Sequence, residues 1–461
     1  MLLIIELLNL LCNIREFLIK QFHFTVWPDH GVPQFATSLI AFIRGVNRNQ
    51  LTDTGGPHVV HCSAGVGRTG TYITLNSMLQ RIILENNVNV YEFVRLMRSK
   101  RNYMVQTEEQ FVFIYDALVE LVTSGDTSIP SDLAIATINS YREMSGDMYR
   151  GEQMCTFSKQ FLVLSEYSRQ PNDECCAYGM LEENKNKNRF TKRIPYDDYR
   201  VRITPSGDGT DYINASFVDG YKQKRAYIAT QSPSSETVGE FWRMVYEKES
   251  AVIVMLCNLI ENGNEMCYKY WPDKGEEVKF QLYTIKNLEE RREEGFLRRR
   301  LLVVFSFHNK YIGSTVTAER KVTQLCLEEW PNSNLAENLT PFLTIIDAVE
   351  RLQAANQNPP ITVHCEDGVG RTGTFLTMFS VLEKLKPEHL VDVFQILKKA
   401  RIQRPMLVDN KEQYEMCYNF VFCYLESFDA YANFCVKSNE NFRIEGADSD
   451  TEILESSTSN S

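Results

Sequence analysis

The sequence lacks the features that mark three common classes of protein. Its twelve cysteines include no C-x-x-C pair, so a structural zinc site is not indicated. The net charge of −11 argues against a nucleic-acid partner, because nucleic-acid binding depends on basic patches. The absence of G-K-[ST] excludes a Walker-type phosphate loop. With 43% hydrophobic and 24% charged residues, the composition is that of a globular protein in a reducing, cytosolic setting.

A clean, long apolar run is also missing. The first twenty residues, MLLIIELLNLLCNIREFLIK, are interrupted by Glu6, Asn9, Asn13 and Arg15, whereas a bilayer span needs about 20 apolar residues in succession. The segment also lacks the positively charged start of a signal peptide. We therefore predict no membrane span in this chain.

Two stretches, VVHCSAGVGRTG at 59–70 and TVHCEDGVGRTG at 362–373, indicate an internal duplication. Cys62 and Cys365 are 303 positions apart, and the same offset relates the tryptophan of WPDHGVP to that of WPNSNL without a gap. The second copy has long upstream sequence, from about residue 150, that has no counterpart before the first copy. We therefore expect that upstream sequence of the first copy has been lost from this chain.

This comparison predicts four segments along the chain. They are the C-terminal part of a first domain at 1–123, a linker at 124–150, a second domain at 151–430 and an acidic, serine-rich tail at 431–461.

The local patterns predict an α/β or α+β fold, with a mixed twisted sheet flanked by helices in each of two tandem copies. Short strands are expected at His58–Val60 and Ile361–Val363, and longer apolar runs at 225–230 and 251–258 read as further strands. Apolar residues at helical spacing predict three helices in the first copy, around 75–83, 90–97 and 111–119. Thr107 and Gln110 form a capping box at the start of the third.

The segment from Cys62 to Gly70 has the composition of an anion cradle. Glycines let successive backbone N–H groups point at one centre, and the following helix adds its positive N-terminus. Arg68 can bind two oxygens of a phosphate group. The same electric field lowers the pKa of the Cys62 thiol and makes it a nucleophile. The pattern therefore predicts phosphoryl transfer to a cysteine.

Such a reaction needs an acid and a positioned water molecule. The stretch FTVWPDHGVP at 24–33 offers Asp29, which can protonate the leaving oxygen and then deprotonate the attacking water. Its tryptophan, prolines and glycine suggest a loop that closes over the site. The amide that places the water is Gln106 or Gln110, and the capping box alone accounts for Gln110.

One alternative uses the same glycines. Residues 65–70 match G-x-G-x-x-G, and Glu85 follows 20 positions later, which would indicate dinucleotide binding. However, Glu85 directly follows a helix instead of ending a second parallel strand. This alternative also leaves Cys62, Arg68 and Asp29 unexplained.

HCSAGVGRTG, with WPDHGVP upstream and QTEEQ downstream, resembles the classical protein tyrosine phosphatases. The tandem arrangement resembles the intracellular half of a receptor-type member, over roughly residues 20–430. The resemblance implies a phosphocysteine on Cys62, phosphate binding by Arg68, and Asp29 as general acid and then base. It implies no metal and no organic cofactor. Further implied roles are leaving-group assistance by Thr69, water placement by Gln106 and Gln110, and backbone donors from Ser63, Ala64, Gly65, Val66 and Gly67.

The resemblance also implies partners and a location. The substrates would be phosphotyrosine-containing proteins, and the phosphatase domains would contact each other within one chain or in a dimer. A single-pass membrane receptor would carry these domains on its cytosolic side. The family's N-R-Y substrate loop would lie in the upstream sequence that the first copy lacks here.

The second copy departs from the pattern at several chemical positions. Acidic residues in an anion cradle repel a phosphate dianion and disfavour a thiolate. We therefore expect Cys365 and Arg371 to form a weak or inactive phosphate pocket with a binding or regulatory role. An alternative for the whole chain is a pseudophosphatase or scaffold that binds phosphotyrosine proteins without turnover. The departures are Asn332 for Asp29, Asp409 for Gln106, Glu366 and Asp367 for Ser63 and Ala64, and Phe190 for the family's tyrosine.

Overall fold

The computed structural model describes residues 3–12, 15–33, 35–49, 56–146, 153–167, 172, 174–205, 209–309, 314–331 and 339–444. Within these ranges, no helix is both long enough and apolar enough to span a bilayer. The predicted tail lies outside the described residues from position 445 onward, and its first part belongs to a helix that ends at Ile444. Asn332 also lies outside them.

The first copy consists of an antiparallel hairpin followed by four helices. These elements are β1 (Leu3–Cys12), β2 (Arg15–Phe24), α1 (Thr37–Arg48), α2 (Gly67–Glu85), α3 (Val90–Lys100) and α4 (Glu108–Ser124). Helices α2, α3 and α4 confirm the three helices that apolar spacing predicts. Their inward faces pack with α1 around Leu39, Ile43, Leu75 and Ile114.

A connecting region leads into the second copy, which contains the large sheet. The connecting elements are β3 (Ile129–Pro130), α5 (Ala134–Ser140) and β4 (Met144–Gly146). The second copy begins with β5 (Gln153–Cys155), α6 (Thr156–Tyr167) and α7 (Ala177–Met180). The later elements are β6 (Arg200–Arg202), β7 (Tyr212–Val218), β8 (Tyr227–Gln231), α8 (Val238–Glu247), β9 (Val252–Met255), β10 (Ile260–Glu261), β11 (Asn264–Glu265), β12 (Glu277–Phe280), β13 (Tyr283–Glu293), β14 (Phe296–Asn309), β15 (Ser314–Leu327), α9 (Thr340–Ala355), β16 (Ile361–Cys365), α10 (Gly370–Glu388), β17 (Leu390–Val391), α11 (Val393–Gln403) and α12 (Lys411–Ile444).

Nine of these strands form one mixed sheet in the order β12-β13-β14-β15-β9-β16-β8-β7-β6. The four central strands, β15, β9, β16 and β8, run parallel, and the strands on both sides are antiparallel. The prediction of a mixed sheet flanked by helices is therefore confirmed for the second copy, whereas the described strands of the first copy are only those of the β1–β2 hairpin. Cys365 ends β16 near the middle of this sheet, at the carboxyl edge where α/β proteins commonly bind ligands.

Alternate residues of the central strands enter two different cores. Val252 and Val254 of β9 pack with helices α9 to α12 on one face. Ile253 and Met255 face the other way and pack with α8. Because both faces are covered, these strands are apolar at successive positions, as buried parallel strands commonly are.

The strand predicted at His58–Val60 is wrong. Residues 56–62 form no strand, and Val59 is 89% exposed. The equivalent strand of the second copy is bonded on both sides, by β8 and β9, and Thr362 is fully buried there. A strand requires a partner for its N–H and C=O groups, and no described residue pairs with 58–60.

The two copies contact each other through buried polar groups. The hydroxyls of Thr127 and Ser128 each donate to the carboxylate of Asp392 at 2.8 Å. Nearby, β3 pairs with β17. Glu120 of α4 forms an ion pair with Lys398 of α11 at 2.9 Å, and both side chains are less than 10% exposed.

Candidate active site

The thiol of Cys62 is half-buried at the base of the loop that precedes α2. The backbone N–H of Gly65 donates to Sγ at 3.3 Å, and the hydroxyl of Thr69 donates at 3.1 Å. Burial raises the pKa of this thiol. The hydrogen bonds from the Thr69 hydroxyl and from the N–H groups of Thr69, Gly65 and Val66 outweigh burial and hold the pKa of Cys62 below its ordinary value.

Arg68 connects the cradle to the loop that carries Asp29. Its guanidinium donates to the carbonyl oxygens of Pro28 at 3.0 Å and Asp29 at 3.4 Å. It also lies 5.8 Å from the ring centroid of Trp27. The Trp27 indole donates to the carbonyl of Gly31, which has a φ of +71° and closes the turn. The carboxylate of Asp29 is exposed, on a loop that Arg68 holds beside the cradle.

Gln106 and Gln110 both lie against the start of α2. A Cβ atom placed on Gly67 would come within 3.0 Å of the Gln110 amide and 3.3 Å of Gln106 Oε1. Thr107 caps α4 by accepting from the N–H of Gln110 at 3.3 Å, which confirms this half of the predicted capping box. The Gln110 amide oxygen accepts from the N–H of Gln106 at 2.9 Å, one residue before the cap.

Two arginines that the sequence reasoning missed bind backbone carbonyls, one in the cradle loop and one at residues 104–105. Arg101 donates to the carbonyls of Gly65 at 3.0 Å and Ala64 at 3.3 Å. Arg98 donates to the carbonyls of Met104 and Val105. The 303-residue offset was the available signal, because it relates these positions to Arg404 and Arg401. Those residues make matching bonds to Gly368, Leu407 and Val408.

The second cradle holds its cysteine differently. The Cys365 thiol is buried and, as in the first copy, the hydroxyl of the equivalent threonine, Thr372, donates to it at 3.1 Å. Burial, followed by the charge of Asp367, raises the pKa of Cys365 far above its ordinary value. Oδ1 of Asp367 accepts from Cys365 Sγ at 3.1 Å and from the N–H groups of Val369 at 2.9 Å and Gly370 at 3.2 Å.

The arginine of the second cradle is paired with a carboxylate. Both terminal nitrogens of Arg371 donate to Glu261, each at 2.7 Å, and this bonding holds the pKa of Glu261 below its ordinary value. Arg371 lies 5.3 Å from the ring centroid of Trp330, as Arg68 lies near Trp27. Gln413 keeps the bonding of Gln110, because its amide oxygen accepts from the N–H of Asp409, the position equivalent to Gln106, at 2.9 Å. Among the described residues, no group of three acidic, histidine or cysteine side chains is placed to hold a metal.

Comparison with known proteins matches these features to one family. The model described as "Protein-tyrosine phosphatase" matches residues 6–120 and 184–423. The chain belongs to the protein-tyrosine phosphatase family. Receptor-type tyrosine-protein phosphatase S of Gallus gallus is 40% identical over 417 residues, which cover 90% of this chain and 26% of that protein. Receptor-type tyrosine-protein phosphatase alpha of Homo sapiens is 41% identical over 419 residues, which cover 90% of this chain and 50% of that protein.

Receptor-type tyrosine-protein phosphatase F of Homo sapiens is also 40% identical over 417 residues, 21% of its length. This phosphatase-family chain therefore spans between about a fifth and a half of the length of these relatives. Both cradles fall within the matched residues, and so does the Asp29 loop.

Proposed function

We propose that the chain hydrolyses phosphotyrosine in proteins at the first cradle. The surroundings of Cys62 carry this proposal: several donors converge on the thiol and its pKa is lowered. Arg68, six residues further on, binds the loop that carries Asp29. Lowering the pKa provides a thiolate at neutral pH, which is the nucleophilic form of cysteine. Substrates of this class carry two negative charges on phosphate, which the loop N–H groups and Arg68 complement.

The reaction proceeds in two steps. The Cys62 thiolate attacks phosphorus, the bond from phosphorus to the tyrosine oxygen breaks, and Asp29 gives its proton to that oxygen. Water then attacks the phosphocysteine, Asp29 takes a proton from this water, and the S–P bond breaks to release inorganic phosphate. Gln106 and Gln110 place the water, and the Thr69 hydroxyl stabilises the departing thiolate.

The second copy contributes binding or regulation in this proposal, with no turnover of its own. The raised pKa of Cys365 keeps its thiol protonated at neutral pH, and Asp367 adds a negative charge inside the cradle. Residues 1–123 and 151–430 would then be a catalytic and a regulatory unit. By analogy with the receptor-type relatives, we place both on the cytosolic side of a membrane receptor.

The proposal is tested by measuring phosphate release from a phosphotyrosine peptide. We expect release by the unmodified chain, loss in Cys62→Ser and Asp29→Asn, and no change in Cys365→Ser. Unchanged release in Cys62→Ser would contradict the proposal. Peptide binding without release by the unmodified chain would favour the pseudophosphatase alternative.

A further inference from the structure

The two cradles direct equivalent N–H groups to different acceptors. In the first copy, the N–H of Gly65 donates to the Cys62 thiol at 3.3 Å, and the N–H of Val66 helps to lower the pKa of that thiol. In the second copy, the N–H of Val369, at the equivalent position, donates to Oδ1 of Asp367. The N–H of Gly370 donates to the same oxygen. One carboxylate oxygen therefore accepts hydrogen bonds from two of the N–H groups that an anion cradle offers to its ligand.

We propose that Asp367 is an internal anion that fills the second cradle, and that removing its carboxylate converts this cradle into a binding site for phosphate. This inference rests on the proposed function, in which the second copy has no turnover. It attributes the exclusion of phosphate from the second cradle to one residue. The ligand class admitted after removal is a tetrahedral oxyanion of the size and charge of inorganic phosphate.

The contacts of Asp367 explain why phosphate is excluded while the carboxylate is present. Oδ1 also accepts from the Cys365 thiol, and Oδ2 lies 3.9 Å from Nε of Arg193. An entering dianion would have to displace a carboxylate that already holds these donors, against repulsion between like charges. Charge-assisted hydrogen bonds of this kind are stronger than neutral ones.

The other parts of the second cradle match the first. Gly368 has a φ of +67°, close to the +70° of Gly65, so the loop turns in the same way. Thr372 contacts the thiol at the same 3.1 Å as Thr69. Arg404 donates to the Gly368 carbonyl and supports the loop. Two carboxylates therefore distinguish this cradle from the first: Glu261 pairs with Arg371, and Asp367 occupies the N–H groups of the loop itself.

The test uses the full chain and inorganic phosphate as the probe. Asp367→Ala introduces the residue that the first copy has at Ala64. The matched control is Glu366→Ser, which introduces the residue that the first copy has at Ser63. It removes one negative charge from the same loop but leaves the hydrogen bonds of Asp367 in place. Iodoacetamide labelling, at a pH high enough for Cys365 to react, is followed by peptide mass spectrometry at increasing phosphate concentration. The Cys62 peptide provides the reference from the same molecules.

We expect phosphate to protect Cys365 in Asp367→Ala with at least about ten-fold higher affinity than in the unmodified chain, the effect of freeing one charge-assisted site. Glu366→Ser should change the affinity by less than about three-fold, because it leaves the N–H groups of the cradle bonded to Asp367. Asp367→Ser, which also removes the carboxylate oxygens from these N–H groups, should gain protection as well and serves if the alanine variant does not fold.

An equal gain in Glu366→Ser would overturn the proposal, because charge alone would then explain the exclusion. Folded Asp367→Ala and Asp367→Ser chains without protection of Cys365 would overturn it too. Absence of protection at Cys62 would instead contradict the proposed function of the first copy, so the two failures are distinguishable.

Discussion

The thiol of Cys365 donates a hydrogen bond to Oδ1 of Asp367 at 3.1 Å. A carboxylate acceptor stabilises the protonated thiol, whereas the hydroxyl and N–H donors around Cys62 stabilise a thiolate. The pKa values of the two cysteines of one duplicated motif are therefore shifted in opposite directions.

This difference predicts separate pH profiles for alkylation by iodoacetamide. A lowered pKa keeps Cys62 deprotonated at lower pH, so its labelling rate should reach half-maximum below the ordinary thiol value of about 8.5. Cys365 should label only at much higher pH. Thr69→Ala should move the Cys62 profile to higher pH, and Thr69→Ser should restore it. Coincident profiles for the two cysteines would contradict this assignment.

Gly67→Ala should reduce turnover with little loss of stability. The new Cβ would lie 3.0 Å from the Gln110 amide and 3.3 Å from Gln106, so both side chains must move. A displacement of a few tenths of an ångström or more should lower kcat about ten-fold, with unfolding free energy changed by less than about 1 kcal/mol. Gly370→Ala meets Gln413 in the same way and should leave turnover unchanged. If Gly67→Ala and Gly370→Ala have the same kcat, Gln106 and Gln110 do not position the water.

Asp392 should make the protein less stable in acid. Burial raises its pKa, but the charge of Lys384 and the hydroxyls of Thr127 and Ser128 lower the pKa further, below the ordinary value. Its stabilisation is therefore present above the unfolded-state pKa of about 3.9 and is lost as the pH falls through the folded-state value. Asp392→Asn should lower the unfolding free energy by about 1–3 kcal/mol at pH 7. It should also make the unfolding free energy fall less steeply below about pH 4, as measured by urea unfolding.

The matched control for Asp392 is Asp126→Asn. Asp126 forms an exposed pair with Arg48 at the same junction, so this change should cost less than about 1 kcal/mol. Parallel pH–stability curves for Asp392→Asn and the unmodified chain would show that Asp392 does not carry the acid sensitivity.

The same arginine-to-alanine change should have unequal effects in the two copies. Arg404 is fully buried, and its loss leaves Gly368, Ser216 and Asn214 without a donor, so we expect a cost of about 3 kcal/mol or more. Arg101 is exposed, and its removal should cost less than about 1 kcal/mol. Urea denaturation of both variants measures the difference, and similar midpoints would contradict it.

Local patterns were sufficient for part of the fold and the site. Helices α2, α3 and α4 follow from apolar spacing, because each helix forms its own hydrogen bonds and needs only one apolar face. The absence of a strand at 58–60 could not be predicted in this way, because a strand depends on partners elsewhere in the chain. Arg101 was missed for a related reason: its acceptor, the carbonyl of Gly65, lies 36 residues away.

The sequence by itself determined the duplication, the family and the replacement of Ala64 by Asp367 in the second copy, because a constant offset and residue identity need no coordinates. It also indicated that a carboxylate there would oppose phosphate. Only the tertiary structure decided that this carboxylate accepts the N–H groups of Val369 and Gly370. A charge near a cradle repels a ligand by its sign alone, but replacing the ligand requires hydrogen-bond distances that only the folded loop provides.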